Sequence, residues 1–507
     1  MVNDTGMPYR AGWLLPLLLL VVTLCGCGRQ PDGVLRMGLA AAPMNLDPRF
    51  ATDAASVRVN RLLYRRLVEF DASGMAQPSL AEWRRLSPVH YRFILQDAGR
   101  QFHDGSRLTA SDVKATYDSV LDPATGSPHR ASLELIERIE TDGDDRIDFY
   151  LRRPDPLFPA YLVVGILPAN LISAGHSFST DPVGSGPFRF LDWPGEGRLR
   201  LQRVRDNQEF ELVEVKDPTV RVLKLLRGEI DMLQNDLPPE LVGYLQRKQG
   251  IHIERRPGSN FSYLGFNLQD PDTGRLKVRR AIAYAIDRDA IIHYLLQGTA
   301  RPAQTLFPPE HWVSAPDLPS YPHDLQGARE LLAEAGYGPD HPLRLVYKTS
   351  SDPFRIRLAS VIQQQLARAG IEVELRSFDW GTFYRDIREG RFQMYSLAWV
   401  GLETPDIFRY VFHSNSFPPA GANRGRYADS EVDRLIEQAE SIPELAARIP
   451  TYRALQQRLL QQLPYVPLWY EEHLFAGRAN IRGYHLAGDG NYDGLNDVER
   501  EEHKPDE

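Results

Sequence analysis

The chain has 507 residues, a formal net charge of −8 and a pI near 6.0. Its acidic balance argues against nucleic acid as a partner, because nucleic-acid recognition needs clustered basic charge. A hydrophobic content of 42% with 10% aromatic residues excludes wholesale disorder. At roughly 100–200 residues per domain, this length predicts two to four folding units.

The N-terminus is dominated by an apolar run over residues 11–24, preceded by Arg10. This pattern predicts an export signal, and the run is shorter than the ~20 residues of a membrane span. The following Leu24-Cys25-Gly26-Cys27 resembles the bacterial lipoprotein processing site. The resemblance implies a signal peptide over residues 1–26, a diacylglycerol on Cys27, and an extracytoplasmic protein tethered to a membrane. An ordinary signal peptide or an uncleaved anchor is the alternative.

The first half of the mature chain predicts a mixed sheet with a smaller inserted subdomain. Short alternating runs separated by turns indicate strands, and two amphipathic stretches indicate helices. The predicted strands cover residues 91–95, 146–151 and 188–204, the turns 71–74 and 142–145, and the helices 111–121 and 220–228.

The second half predicts a βαβαβ unit with a parallel sheet, in strands over residues 343–348, 371–378 and 392–399. Between the first two strands, Asp352 and Pro353 open a helix that Gly370 closes. Further helix faces upstream extend one α/β lobe over residues 264–475. The polar stretch from Asp489 to the C-terminus predicts a frayed acidic tail.

Eight short blocks resemble the signatures of solute-binding proteins of family 5, the peptide- and nickel-binding components of ABC importers. Each block alone is weak evidence for the family, but the eight blocks occur in the expected order over nearly the whole mature chain. The blocks are Asn45-Leu46-Asp47-Pro48, Phe102-His103-Asp104-Gly105-Ser106 with Leu108-Thr109-Ala110-Ser111-Asp112-Val113, Val183-Gly184-Ser185-Gly186-Pro187-Phe188, Gly228-Glu229-Ile230-Asp231, Gly265-Phe266-Asn267, Val278-Arg279-Arg280-Ala281-Ile282, Leu331-Leu332-Ala333-Glu334-Ala335-Gly336-Tyr337 and Pro464-Tyr465-Val466-Pro467-Leu468.

The resemblance implies an α/β fold of two lobes that close about a hinge around a ligand (the type II periplasmic-binding-protein fold), with an extra subdomain inserted in the N-terminal lobe. We expect the N-terminal lobe over residues 27–263, the subdomain over about 62–177, the C-terminal lobe over 264–475, and a return with an acidic tail over 476–507. The crossings between lobes are expected near 260–267 and 472–482. His103 and Asp104 are expected to hold a turn, and Asp112 a helix start.

Ligand contacts are implied where positions match those of the peptide binders. Trp399 closes the last strand of the βαβαβ unit, Trp380 follows the preceding strand, and Phe261 and Tyr263 precede the Gly-Phe-Asn block. Met44 lies in the first-strand loop. Carboxyl ends of parallel strands face the ligand crevice, and aromatic rings give broad apolar contact. Core positions for the two tryptophans are the alternative.

One position departs from the family pattern. Where peptide binders place an aspartate for the ligand's α-amine, this chain has Leu402, after Gly401 and before Glu403. Glu403 replaces that aspartate if the loop shifts register. Lys348, at the end of another strand, falls where some relatives hold the ligand carboxylate; a solvated surface lysine is the alternative.

Three functions remain open at this point. The first is a lipid-anchored monomer that delivers a peptide-like solute to an ABC permease, without cofactor or metal. The second is a non-transport sensor on the same fold, or a binder of another solute. An enzyme is disfavoured, because the sequence has no G-x-S-x-G nucleophile elbow and no cysteine after Cys27. The histidines are scattered singly, and Asp489, Asn491 and Asp493 imitate only the start of a calcium loop.

Overall fold

The structure is a computed structural model that describes residues 33–195 and 197–501. The predicted signal peptide and Cys27 lie outside the described residues. The described residues from Leu35 onward form one compact unit.

A single large sheet organises the molecule, in the order β15-β14-β16-β12-β17-β11-β1-β10-β9-β8, with β13 paired to β17. A four-stranded sheet, β4-β5-β7-β6, and two hairpin-sized sheets, β2-β3 and β18-β19, complete the described strands. The strands are β1 Leu35–Leu39, β2 Val68–Phe70, β3 Ala76–Pro78, β4 Ala81–Ser87, β5 His90–Leu95, β6 Ile136–Asp142, β7 Arg146–Leu151, β8 Phe188–Gly195, β9 Arg198–Arg203, β10 Glu209–Glu214, β11 Met232–Gln234, β12 Ile251–Phe266, β13 Ala300–Pro302, β14 Leu343–Ser350, β15 Ile371–Phe378, β16 Met394–Trp399, β17 Tyr465–Arg478, β18 Ile481–Arg482 and β19 Glu499–Arg500.

Helices cover the large sheet and pack inside the smaller subdomain. They are α1 Ala54–Leu63, α2 Ala110–Leu121, α3 Arg130–Leu133, α4 Ala169–Ser173, α5 Pro218–Arg227, α6 Pro239–Gln246, α7 Leu276–Ala285, α8 Arg288–Ala290, α9 Leu325–Glu334, α10 Pro353–Ala369, α11 Trp380–Glu389, α12 Ile407–Phe412, α13 Ser430–Ser441 and α14 Leu445–Gln462. Short 3₁₀ or π turns occur at Phe158–Tyr161, Ile291–Leu295 and Asp493–Asn496.

The predicted βαβαβ unit is confirmed as β14-α10-β15-α11-β16, with β14 parallel to both other strands. Asp352 caps α10 by accepting the main-chain N–H of Arg355, and Gly370 ends the helix at a φ of +92°. A left-handed residue at this position favours glycine, since it has no Cβ to clash. The sequence signals therefore set both ends of this helix.

Two long antiparallel strands, β12 and β17, join the two halves of the sheet. They pair from Ile251 opposite Arg478 to Gly265 opposite Tyr465, and the register shifts between Pro257 and Phe261. β12 continues the sheet into β16, and β17 continues it into β11. The C-terminal lobe is thus built on β14–β16, and the N-terminal lobe on β1 and β8–β11.

The N-terminal signature blocks are structural, as predicted. Asp104 Oδ1 accepts hydrogen bonds from the N–H and Oγ–H of Ser106, which closes the turn. The main-chain N–H of His103 donates to the carbonyl of Gly184, which ties this block to the Val-Gly-Ser-Gly-Pro-Phe block. Asp112 completes a capping box with Thr109 at the start of α2.

Two local predictions are wrong. Residues 188–204 form two strands rather than one, because Gly195 and Gly197 adopt φ values of +92° and +68° between them. The described part of the C-terminal tail is packed rather than frayed: Leu495 and Val498 are fully buried. Its polar residues are used locally, since Asp493 pairs with Arg61 at 2.7 Å.

Candidate ligand-binding site

The carboxyl ends of β15 and β16 carry the two predicted tryptophans. Trp380 is the first residue of α11, and its side chain is 59% exposed. Its ring stacks on that of Tyr384, one turn further along, with centroids 5.6 Å apart. The exposure excludes a core position for Trp380.

Trp399 is partly buried at the end of β16, where it pairs in register with Phe261. Its ring lies parallel to that of Tyr263 at 6.5 Å, and meets that of Tyr410 nearly at right angles, also at 6.5 Å. The indole Nε1 is buried and has no hydrogen-bond acceptor among the described residues. Trp399 therefore offers an unused donor as well as an aromatic face.

Phe261 and Tyr263 do not reach the surface: they are 1% and 0% exposed. Both belong to the core of the C-terminal lobe, where Tyr263 stacks on Tyr465 at 3.9 Å. Residues two apart on a strand share a face, and here that face points into the core. The two rings consequently support Trp399 from behind, rather than lining a surface themselves.

Met44 lies in the loop after β1 and is 83% exposed. Its main-chain N–H donates to Ser56 Oγ at 2.8 Å, which fixes the loop on α1 while the side chain remains free.

In the loop Gly401-Leu402-Glu403, the side chains of Leu402 and Glu403 point in different directions. Gly401 has a φ of +69°, a turn that favours glycine. Leu402 is 7% exposed and packs in the apolar core of the C-terminal lobe. Glu403 is partly buried, and within the described residues no hydrogen bond is made to its carboxylate.

The Glu403 carboxylate lies among charged groups of the other lobe. Burial, together with the charges of Asp489 and Glu69, raises the pKa of Glu403 to about 7 against the opposing effect of Arg66 and Arg61. A carboxylate with a raised pKa and no direct partner is poised to accept a cation.

A turn of the N-terminal lobe lies directly against the loop that carries Glu403. His311 Nε2 lies 3.0 Å from the carbonyl oxygen of Glu403, and the main-chain N–H of Trp312 donates to Ser73 O at 3.0 Å. A Cβ on Gly74 would lie 2.4 Å from His311 Nε2, so only glycine fits. Burial lowers the pKa of His311 to about 4, which keeps the ring neutral and lets Nε2–H donate to that oxygen.

Lys348 is already engaged by the protein. It is 9% exposed, and its Nζ lies 2.6 Å from Asp386 Oδ2; Asp386 Oδ1 also accepts from Arg391. The hydrogen bond from Lys348, with that from Arg391, holds the pKa of Asp386 below its usual range. The solvated-surface alternative for Lys348 is wrong, because the side chain is buried against α11.

Arg424 lies in the cluster of aromatic rings formed by Tyr263, Tyr384 and Trp399. The sequence did not predict it, since no motif or spacing marks it. It is 8% exposed and donates to the hydroxyls of Tyr263 and Tyr384 at 3.2 and 3.1 Å. Its guanidinium carbon lies 4.9 Å from the centre of the Trp399 ring and 5.3 Å from that of Tyr384. The cluster is therefore an aromatic surface with one buried positive charge.

Over residues 33–195 and 197–501, no group of three or more histidine, cysteine, aspartate or glutamate side chains is placed to hold a metal ion. In the same residues, no helix combines the length and the apolar character needed to span a membrane.

Comparison with known proteins decides the family. The model for bacterial extracellular solute-binding proteins, family 5 (middle region), matches residues 77–417. The chain belongs to this family. It is 30% identical to a probable di/tripeptide-binding protein of Pseudomonas aeruginosa, over 85% of this chain and 89% of that protein.

Other members of family 5 differ in the ligands that their names state. The chain is 27% identical to haem-binding protein A of Haemophilus influenzae, over 88% of each chain. The solved periplasmic binding protein DppA of Helicobacter pylori, in complex with peptide STSA, shares 25% identity and a TM-score of 0.77, over 92% of this chain and 98% of that one. The predicted family and the two-lobed α/β fold are confirmed.

Proposed function

We propose that this family 5 protein binds a short peptide with a free α-amine between its lobes and delivers it to an ABC permease. The proposal includes export and anchoring to a membrane through a lipid on Cys27. A di/tripeptide-binding relative at 30% identity over most of both chains supports the ligand class.

The Glu403 carboxylate carries the proposal. It replaces the family's aspartate one residue later, because Leu402 turns into the core and leaves Glu403 facing the other lobe. An ammonium group held there would pair with a carboxylate to which no described residue donates a hydrogen bond. Trp380, Trp399 and Met44 would supply contact area that tolerates different side chains.

Closure of the lobes is proposed to occur about β12 and β17, where their register shifts between Pro257 and Phe261. Contacts between lobes are already present on the hinge-flanking helices: Arg357 Nη1 of α10 lies 2.6 Å from Glu240 Oε1 of α6. A ligand that bridges the lobes would add to such contacts. It would also exclude water from the pair formed by the Glu403 carboxylate and the ligand's ammonium group.

The test is calorimetric titration of wild type and Glu403→Gln with Ala-Ala-Ala and N-acetyl-Ala-Ala-Ala. The wild type is expected to bind the free peptide and to lose at least tenfold in affinity for the acetylated one. Glu403→Gln is expected to bind both weakly. The exposed Glu330→Gln is the matched control and should behave as wild type. Equal affinity of the wild type for both peptides would contradict the α-amine assignment.

A non-peptide solute is the second candidate, favoured by the haem-binding relative at 27% identity. A sensor role on the same fold is separated from transport by whether a permease co-purifies with the lipidated protein.

A further inference from the structure

Arg424 differs from the other buried arginines in what it contacts. The other six buried arginines of the described chain each donate to a carboxylate or to at least two main-chain carbonyl oxygens. These are Arg66, Arg100, Arg203, Arg221, Arg279 and Arg448. The guanidinium of Arg424 donates only to two tyrosine hydroxyls, and it forms no ion pair with a carboxylate of the described residues.

A buried guanidinium without an anionic or carbonyl partner is unfavourable, since its desolvation is incompletely offset. The rings of Tyr384 and Trp399 hold the guanidinium in place through cation–π contact. A guanidinium held in a fixed orientation can donate two parallel hydrogen bonds to the two oxygens of a carboxylate. Trp399 adds a second buried donor without an acceptor, its Nε1–H.

The cluster is open at its margins. Trp380 stacks on Tyr384 and is 59% exposed, and Tyr410 packs edge-on to Trp399 and is 48% exposed. A ligand lying on this row of rings would place its polar atoms next to Arg424. Lys348, the expected carboxylate partner, is neutralised by Asp386.

We propose that Arg424, with the indole N–H of Trp399, forms a subsite for a carboxylate of the bound ligand, so that acidic peptides are preferred over their neutral isosteres. This proposal rests on the proposed peptide-binding function. The carboxylate has two possible sources in a peptide, a Glu or Asp side chain and the C-terminus, and the same chemistry recognises both.

The test compares matched peptides on wild type, Arg424→Gln and Arg424→Lys by calorimetry. Ala-Glu-Ala against Ala-Gln-Ala reports a side-chain carboxylate, and Ala-Ala-Ala against its C-terminal amide reports the terminal one. Wild type is expected to prefer the carboxylate at least tenfold in one of the two pairs. Arg424→Gln should reduce that preference to less than threefold. Arg424→Lys, which keeps the charge without the fork, should be intermediate and serves if the Gln variant does not fold.

Arg279→Gln is the matched control, because Arg279 is also buried but donates to the carbonyls of Thr273 and Gln462. It should lower the melting temperature and leave the preference unchanged. The proposal is overturned if Arg424→Gln keeps the preference for the carboxylate-bearing peptide. It is also overturned if wild type binds both peptides of each pair without that preference.

A second arm does not depend on peptide binding. The tryptophan indole ¹⁵N–¹H signals of residues 28–507 are followed while N-acetylglutamate, which has no free α-amine, is added; Trp399→Phe assigns the Trp399 signal among the six tryptophans of these residues. The Trp399 signal should shift in wild type and not in Arg424→Gln. If no tripeptide binds, the proposed peptide-binding function fails, and the Trp399 signal alone then tests the carboxylate subsite. An unchanged Trp399 signal in wild type would overturn the subsite.

Discussion

The main-chain N–H of Trp312 donates to Ser73 O at 3.0 Å, which joins a loop of the C-terminal lobe to the β2–β3 turn of the N-terminal lobe. The same turn places Gly74 against His311, which in turn contacts the carbonyl of Glu403. The same turn therefore makes the contact between the lobes and packs against the histidine that contacts the Glu403 loop.

Gly74→Ala is expected to impair closure. The new methyl group would overlap His311 Nε2, and the φ of +78° adds strain. We expect peptide affinity to fall at least tenfold, and the ligand-induced decrease in radius of gyration by small-angle X-ray scattering to disappear. Gly143→Ala carries similar strain at φ +63° with no neighbour within 4 Å, and should close normally. Wild-type closure in Gly74→Ala would contradict the role of this contact.

Binding of a free α-amine is expected to weaken as pH falls from 7 to 5.5. The pKa of Glu403 in the ligand-free protein is about 7, so acidification protonates the carboxylate that the ammonium requires. The peptide amine, with a pKa near 8, stays protonated throughout. Calorimetry should show an affinity about tenfold lower at pH 5.5, and Glu403→Gln should remove this dependence. A pH-independent wild type would count against Glu403.

The same group predicts a stability effect in the ligand-free protein. Its folded pKa of about 7 exceeds the unfolded value of about 4.3, so the folded state binds more protons between these pH values. The contribution of Glu403 to the free energy of unfolding is present below pH about 4.3 and declines up to about pH 7. Glu403→Gln should therefore raise the melting temperature at pH 8 more than at pH 5. An equal effect at both pH values would contradict the raised pKa.

Trp380→Ala is expected to reduce peptide affinity about fivefold to tenfold without changing the melting temperature. The ring is mostly exposed, so its removal loses ligand contact but little packing. Tyr294→Ala, which removes a 79% exposed ring outside the candidate site, should change neither quantity. Unchanged affinity in Trp380→Ala would place this tryptophan outside the ligand site.

Lys348→Met is expected to lower the free energy of unfolding by about 3 kcal/mol, because it leaves the buried carboxylate of Asp386 with only Arg391. Urea unfolding measures the loss. The double variant with Asp386→Asn should recover part of it, since no uncompensated charge remains. A loss of peptide affinity in the single variant with unchanged stability would instead support the ligand-carboxylate role expected from the sequence.

Local signals predicted much of the fold. Asp352 and Gly370 mark both ends of α10 as expected, since caps and left-handed turns are short-range features. The packed C-terminal segment was not predictable in this way. Leu495 and Val498 pack in the hydrophobic core of the N-terminal lobe, and Arg203, nearly 300 positions earlier, donates to their carbonyls.

The candidate site was only partly predictable, because strand alternation gives relative faces but not which face is core. Phe261 and Tyr263 were expected to contact the ligand; they lie beside Trp399, but on the buried side of the sheet. Arg424 carries no local signal: its contacts with Tyr263 and Tyr384 join positions 161 and 40 residues away. Only the tertiary structure brings such a charge to the ends of the strands.

Native mass spectrometry of residues 28–507, purified without denaturation, tests directly whether the protein binds short peptides through a free α-amine. We expect short peptides with free N-termini among the co-purifying molecules, and their loss from Glu403→Gln. A protein that is empty as purified, and remains empty after challenge with a library of free tripeptides, would contradict it.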